Sequence, residues 1–316
     1  MMKRRHFLKT RALATAGLTC RAEIQANEDA SDPVIDIHQH VNYHLRDNDV
    51  FLEHQKAMGI RKTILLPAGT PMNRPSTHLG KSNGLAADVS GTQEAADFVA
   101  KYPDSYAFFS NEAPDEVDAV KKMEYWLERG AIGIGESKFQ LEIDSPPMLQ
   151  MYEVARAHSV PVLMHFQYQT YNLGFERLGK ILDKYPTVNF IGHAQTWWAN
   201  ISAEVDQEVL YPRTPVVPSG MTDYYLSNYA NMFGDLSAGS GLLAMTRDEE
   251  HAAGFLDRHH AKLFYGSDCA DNDGQGETCS GAMQLAMVRK LVQDPKKRHA
   301  ILFGNADRVI FGNEPE

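Results

Sequence analysis

The stretch VIDIHQH, residues 34–40, is an apolar run that ends in two histidines. Such short apolar runs, bounded by polar or turn-forming residues, are typical of buried strands. Seven further runs follow along the chain, at 62–68, 106–112, 131–138, 160–167, 187–194, 232–238 and 262–269. Amphipathic stretches separate them, and strand–helix alternation indicates parallel strands joined by helical crossovers. Eight such units predict an α/β fold of the (β/α)8 type, a TIM barrel.

The amphipathic stretches predict helices over 49–58, 91–101, 115–129, 147–158, 174–185, 247–260 and 282–292. A last helix near 297–311 is expected on the barrel exterior. Residues 196–231 form a long insert after strand six, and a long loop in a compact domain is usually functional. We expect this insert to form a lid or pocket wall, with Trp197 contacting substrate. The alternative is a solvent-facing excursion in which Trp197 only anchors the loop.

The first 30 residues are set apart from the predicted barrel, residues 31–316. They begin with a basic segment, Lys3 to Lys9, whose pattern R-R-x-F-L-K resembles a twin-arginine export signal. This pattern predicts delivery to the periplasm. The alternative is a disordered basic arm on a cytoplasmic protein.

We expect Arg4→Lys combined with Arg5→Lys to trap the precursor in the cytoplasm, because the export machinery reads the arginine pair itself. Cell fractionation measures the effect, and Arg11→Lys serves as a charge-conserving control outside the pair. Unchanged periplasmic delivery of the double variant would contradict the export prediction.

Charge and composition exclude several classes of protein. The chain has 41 acidic and 31 basic residues, a net charge of −10, which argues against a dedicated nucleic-acid partner. No run of about 18 apolar residues is present, so no membrane span is predicted. The three cysteines do not suffice for a disulfide framework. A small-molecule substrate is the expected partner, and the oligomeric state stays open.

Residues of the types that bind metals lie at the ends of five of the apolar runs. In a TIM barrel the carboxyl ends of the strands meet at one mouth, where catalytic side chains lie. His38 and His40 share one face of the first strand because side chains alternate along a strand. The spacing supports convergence, since Glu136, His165 and His193 follow one another at intervals of about one strand–helix unit, while His40 precedes Glu136 by about three units and Asp268 follows His193 by two units plus much of the insert. The full set comprises His38, His40, Glu136, His165, His193 and Asp268.

Imidazoles and carboxylates together suit a divalent metal, most readily zinc. They leave coordination positions open for water, whose pKa a bound ion lowers toward about 7. Lys138 shares a strand face with Glu136 and is a candidate substrate-binding residue. Asp36 is expected to orient one of the ligand histidines from behind.

These segments resemble the amidohydrolase superfamily, in particular its amidohydrolase-related metal-dependent hydrolases. The matching pieces are VIDIHQH, GIGESKF, VLMHFQ, FIGHAQ, GDLSAGSG, LFYGSDC and ILFGNADRVI, spread over residues 33–312. The resemblance implies that His38, His40 and Asp268 bind one metal. It implies that His165 and His193 bind a second, or that His165 joins the first while His193 holds water or substrate. On the fourth strand the candidate ligand is either Glu136 or Lys138. The number of metal ions therefore stays open, and one or two zinc ions are expected.

The resemblance also implies an enzyme. We expect a metal-dependent hydrolase of a small carbonyl compound, such as a lactone, ester or amide, acting through metal-activated water. In that reaction Asp268 and His193 are the expected catalytic residues. The alternative is a metal-dependent decarboxylase of an aromatic or muconate-type carboxylic acid.

Overall fold

The apolar runs form parallel strands, and the computed structural model describes them within residues 32–70 and 89–314. The predicted export signal, residues 1–30, lies outside this range. The chain divides into two units, Met1–Asp32 and Pro33–Glu316, and every element given below belongs to the second. The strands are β1 Ile35–Gln39, β2 Lys62–Leu65, β3 Tyr106–Phe108, β4 Ile134–Ser137, β5 Val162–His165, β6 Phe190–His193, β7 Met232–Asp235 and β8 Leu263–Phe264.

The strands follow one another in chain order around the sheet. Ladders join β1-β2-β3 and β4-β5-β6-β7-β8, each pair in parallel. Backbone hydrogen bonds outside the ladders bridge the two joints between these sheets. Gly135 N donates to Ser110 O at 2.8 Å, and Ile37 N donates to Tyr265 O at 3.2 Å. The predicted strand order and α/β architecture are therefore confirmed.

Alternation of side chains separates two apolar layers. One face of the strands fills the barrel interior with Ile35, Ile37, Ile64, Leu66, Phe109, Leu163, Ile191, Phe233 and Phe264. The other face packs against the helices with residues such as Val162, Met164, Phe190 and Met232. Since a filled interior leaves no pore, the polar side chains at the strand ends sit on a packed apolar floor.

The helices agree with the amphipathic stretches. They are α1 Asn48–Ala57, α2 Thr92–Lys101, α3 Ala119–Leu127, α4 Pro146–His158, α5 Leu178–Lys184, α6 Ala194–Ala199, α7 Met221–Asn228, α8 Ala238–Thr246, α9 Glu249–His259, α10 Ser280–Leu291, α11 Pro295–His299 and α12 Asn305–Val309. Helices α2 and α5 end just before Tyr-Pro pairs, because proline disfavours helical geometry in the preceding residue. Within the described residues, no helix has the length and apolar character that crossing a membrane requires.

Two expectations about the connections need correction. The insert after β6 is not one long loop, since α6 and α7 occupy its two ends and leave 200–220 as the irregular part. The C-terminal segment does not pack only on the exterior. Ala306 and Ile310 join the apolar cluster of the barrel interior. Arg61 and Lys62, at the start of β2, lie over the rings of Phe303 and Phe311, so this segment covers the amino end of the barrel.

Candidate metal centre

The carboxyl ends of β1 and β8 bring three predicted ligands together. His40 Nε2 lies 3.4 Å from Asp268 Oδ1, and His38 Nε2 lies 3.9 Å from Asp268 Oδ2. One donor atom from each of these three residues lies within 4.8 Å of the other two. Asp268 has a positive φ of 41°, a conformation that aspartate tolerates better than most residues. This grouping matches the first metal site that the sequence predicts.

Glu136 lies at the centre of the predicted ligand set. Its Oε2 is 3.6 Å from His38 Nε2, and its Oε1 is 3.8 Å from His193 Nε2. These three residues form a second group of donor atoms within 4.8 Å of one another. The register between β4 and β5 shifts between Ile134 and Ser137, next to this carboxylate. Glu136 is thus placed to contact the donor atoms of both groups.

His165 reaches the same carboxylate from β5. Its Nδ1 lies 2.5 Å from Glu136 Oε1, while its Nε2 lies 3.4 Å from Gln167 Oε1. His165 stands beside Glu136 but belongs to neither group of mutually close donor atoms. The role of His165 as a metal ligand therefore stays a prediction.

Two buried atoms of this site have no hydrogen-bond partner. His38 Nε2 and Asp268 Oδ1 are shielded from solvent and unpaired, although buried polar groups normally find partners. Both atoms face other potential ligands of the same group. A cation bound between them would satisfy both, so these residues fit the divalent metal that the sequence predicts.

Asp235, at the end of β7, orients the ligand histidines. Its Oδ2 lies 2.7 Å from His38 Nδ1 and 3.2 Å from His193 Nδ1. The Ser237 hydroxyl donates to the same oxygen at 2.8 Å. Carboxylates that hold the second ring nitrogen of a ligand histidine fix its tautomer and turn the free nitrogen toward the metal.

Asp36 has a different role from the one expected. Its Oδ1 accepts from the backbone N–H groups of His38 and Ser267, and its Oδ2 accepts from the Ser267 hydroxyl and the Gln55 amide. It touches no imidazole in these contacts and instead ties β1 to the segment after β8. The orienting role belongs to Asp235, which ends an apolar run as the predicted ligands do and was recognisable by that rule.

Burial and neighbouring charges set the ionisation of the site. Burial opposes the charge on Glu136, yet the ammonium of Lys138 and the ring of His165 hold its pKa well below the usual range. Burial likewise disfavours the charge on Asp268, but the facing ring of His38 lowers its pKa overall. Burial and Lys138 lower the pKa of His165 to about 4. Glu136 and Asp268 are therefore ionised and His165 is neutral at neutral pH, as metal ligands must be. Burial opposes a charge on His38, but the carboxylates of Asp268 and Asp235 raise its pKa overall, so a bound cation would have to displace a proton from this ring.

Lys138 lies beside the ligand set. Its Nζ is 5.5 Å from the centre of the Tyr171 ring, and that ring meets His165 edge-on at 5.5 Å. Tyr43 approaches from the segment after β1, where its ring packs edge-on against His40 at 4.7 Å. Burial and the nearby Asp268 carboxylate raise the pKa of Tyr43, so its hydroxyl stays protonated. Sequence reasoning missed Tyr43 because it lies beyond the end of the strand.

A cavity of about 540 Å³ lies near His165, and none of the predicted metal ligands lines it. Gln167 and Tyr171, which both contact His165, line it from the segment after β5. Thr196, Gln207 and Met221 line it from the insert. The insert thus contributes to a cavity beside the site, as expected, although through other residues than its tryptophans.

Trp197 lies outside the barrel mouth. Its side chain is fully buried and packs over Gly192 of β6, on the face that meets the helices. The rings of Phe166 and Phe175 surround it at centroid distances of 6.4 and 6.0 Å. The predicted substrate contact of Trp197 is therefore corrected to the alternative, a packing role, because Trp197 lies on the helix that follows β6 and its ring covers Gly192 on the outer face of that strand.

We expect Trp197→Ala to destabilise the protein by about 3–5 kcal/mol, the usual cost of removing a buried large aromatic ring. Urea unfolding measures the change, and Tyr211→Ala, which removes an exposed ring of the same insert, is the matched control. KM should stay unchanged while the variant is folded. A raised KM at unaltered stability would restore the substrate-wall interpretation.

Comparison with known proteins concerns the fold. No protein-family model matches this chain, and no curated protein matches it in sequence. An uncharacterized TIM-barrel protein from Bordetella bronchiseptica aligns with a TM-score of 0.58 at 14% identity, over 92% of this chain and 91% of that one. A probable 2-pyrone-4,6-dicarboxylic acid hydrolase from Acinetobacter baumannii also gives 0.58 at 14% identity, over 89% and 99%.

A dihydroxybenzoic acid decarboxylase from a Polaromonas species, solved with bound manganese, gives a TM-score of 0.53 at 16% identity, over 90% of this chain and 98% of that one. These likenesses confirm the predicted TIM-barrel fold. The similar structures include a hydrolase and a decarboxylase, so the shared fold does not select a reaction.

Proposed function

We propose that this protein is a metal-dependent enzyme of the amidohydrolase type that hydrolyses a small carbonyl compound, such as a lactone, ester or amide. The observation that carries the proposal is the position of Glu136. Its two oxygens face His38 and His193 at 3.6 and 3.8 Å, on a buried site that also holds Asp268. A carboxylate between two groups of ligands suits one metal ion or a bridged pair.

His38, His40, Glu136, His193 and Asp268 are the residues that would hold the metal. A divalent ion, most readily zinc, supplies a lowered water pKa and polarises a carbonyl oxygen when bound. His165 is the further candidate ligand if two ions bind. The cavity beside His165, with its mixture of aromatic and amide side chains, is where a small substrate would sit.

The proposed reaction gives Asp268 and His193 separate tasks. Asp268 is ionised and faces the ligand cluster, so it accepts a proton from the attacking water and passes it to the leaving group. His193 is held through its Nδ1 by Asp235 and Ser237, which turns its Nε2 toward Glu136 and Asp268. The negative charge that develops on the carbonyl oxygen would be stabilised by the bound ion, or by His193 where His165 takes its place as a ligand. Lys138 adds positive charge at the same edge and is proposed to bind substrate.

The second candidate is decarboxylation of an aromatic or muconate-type acid. The fold likeness to a manganese-bound dihydroxybenzoic acid decarboxylase favours it. Glu136 argues for hydrolysis instead, since an additional carboxylate at the metal suits water activation more than the binding of an anionic substrate. Repulsion between Glu136 and a substrate carboxylate would weaken that binding.

Water labelled with oxygen-18 separates the two reactions. A screen of lactones, esters and aromatic acids first identifies a substrate for the metal-loaded enzyme. Hydrolysis is expected to place one labelled oxygen in the product carboxylate, as read by mass spectrometry. Release of CO2 equal to substrate consumption, with no label in the organic product, would replace the hydrolase proposal with the decarboxylase.

A further inference from the structure

Four metal-ligating side chains converge away from the barrel mouth. We call His54, Cys269, Asp271 and Cys279 the cysteine cluster. His54 lies on α1, whereas the other three residues lie between β8 and the start of α10. Cys269 directly follows Asp268 in sequence, yet its thiol turns away from the mouth and meets Cys279. The cluster shares no residue with the candidate metal centre.

Four of the six distances between the donor atoms of the cysteine cluster lie between 3.2 and 3.6 Å. Cys269 Sγ lies 3.2 Å from Cys279 Sγ and 3.4 Å from Asp271 Oδ2. His54 Nε2 lies 3.6 Å from Cys279 Sγ and 3.4 Å from Asp271 Oδ2. All four donor atoms lie within 4.8 Å of one another. Zinc bonds of about 2.3 Å to sulfur and about 2.0–2.1 Å to nitrogen or oxygen place tetrahedral ligands about 3.3–3.8 Å apart.

Groups around the cysteine cluster favour the metal-binding forms of His54 and Cys279. His54 Nδ1 lies 3.1 Å from Gln55 Oε1, a contact that places the ring proton on Nδ1 and leaves Nε2 as a free donor. The backbone N–H of Ala282 donates to Cys279 Sγ at 3.3 Å, which stabilises negative charge on that sulfur. His54 and Cys279 are fully buried, and only the Asp271 side chain is partly exposed, at 14%. Four protein donors in a closed environment are typical of a structural rather than a catalytic zinc site.

We propose that the cysteine cluster binds a zinc-class divalent cation as a structural site separate from the catalytic metal. The ion would join α1 to the segment 269–279 that follows Asp268. Gln55, beside His54, donates to Asp36 Oδ2 at 3.0 Å, and Asp36 holds the backbone of β1 at His38. The second ion therefore steadies both segments that carry ligands of the first.

A disulfide between Cys269 and Cys279 is the competing state. Their sulfur atoms lie 3.2 Å apart, whereas a disulfide bond measures about 2.05 Å. A disulfide also leaves the buried His54 Nε2 and the Asp271 carboxylate without the cation that their approach to the sulfurs suits. The geometry thus favours metal binding over the cross-link.

Cobalt(II) distinguishes the cysteine cluster from the mouth, because no residue that the structure describes at the mouth offers a sulfur ligand. The full-length protein is stripped of metal under reducing conditions and titrated with cobalt(II). We expect an intense sulfur-to-cobalt charge-transfer band that saturates at one equivalent and disappears on addition of zinc. The band should persist in the variant His38→Ala with His40→Ala, and in Cys20→Ser, which removes the third cysteine.

Cys279→Ser is expected to abolish the charge-transfer band and to lower the zinc content of the purified protein by one equivalent. Circular dichroism reports whether this variant folds, and the wild-type titration tests the proposal if it does not. Absence of the band in folded, reduced wild-type protein would overturn the proposal. So would a Cys269–Cys279 disulfide in the intact purified protein, seen as a mass deficit of two protons that reduction removes.

Discussion

Alanine at both His38 and His40 is expected to empty the barrel mouth of metal and to abolish turnover. The two imidazoles face Glu136 and Asp268 from the end of one strand, so their loss leaves the mouth with too few nitrogen donors for a divalent ion. Bulk water has a pKa of 15.7 against about 7 for water on a metal, so the rate should fall by more than about 10⁴-fold. Elemental analysis and steady-state kinetics on the same preparation measure both effects.

A control variant and a spectroscopic measurement make the result of this double substitution decisive. His158→Ala with His299→Ala removes the same number of imidazoles from helical segments at the outside of the barrel and should retain metal and activity. Any metal that remains in the mouth variant should be the ion of the cysteine cluster, recognised by its sulfur-to-cobalt band. Full activity of a metal-free mouth variant that is folded would disprove the metal-dependent mechanism.

The strands of the barrel were predictable because side-chain direction along a strand repeats every two residues. In each apolar run, successive side chains point alternately to the barrel interior and to the helix layer. The direction of a polar side chain at the carboxyl end of a run can therefore be predicted. His165 and His193 follow this rule, since each lies two positions after an interior residue, Leu163 and Ile191. His38 does not, because it directly follows the interior Ile37 within a register shift of β1. Helix ends at the Tyr-Pro pairs followed from equally local chemistry. Strand order needed only the handedness and continuity of strand–helix units.

Long-range packing decided what the sequence did not reveal. Trp197 belongs to a short helix, α6, that begins directly after β6, so loop composition did not indicate that its ring packs behind the sheet. The cysteine cluster joins His54 to residues more than 200 positions later, and no spacing rule relates them. Asp235 satisfies the strand-end rule, but its contact with two imidazoles depends on how β7 approaches β1 across the barrel.

Asp268→Asn is expected to lower kcat by at least about 10²–10⁴-fold, the usual contribution of a general acid or base. The substitution keeps the size of the side chain and removes its charge. The pKa of Asp268 is lowered despite burial, because the ring of His38 faces the carboxylate, so the wild-type group is ionised wherever the enzyme works. An amide in its place neither accepts the proton of the attacking water nor balances the charge of a bound cation.

Metal content measured in the same sample separates the two roles of Asp268. Retained metal with a lower kcat and unchanged KM identifies a proton acceptor, whereas lost metal identifies mainly a ligand. Asp273→Asn, an exposed aspartate in the same segment, is the matched control and should change neither quantity. Wild-type kcat in a metal-loaded Asp268→Asn enzyme would remove Asp268 from the mechanism. The proton would then have to pass to another carboxylate, for which Glu136 is the candidate because its Oε2 lies 3.6 Å from His38 Nε2.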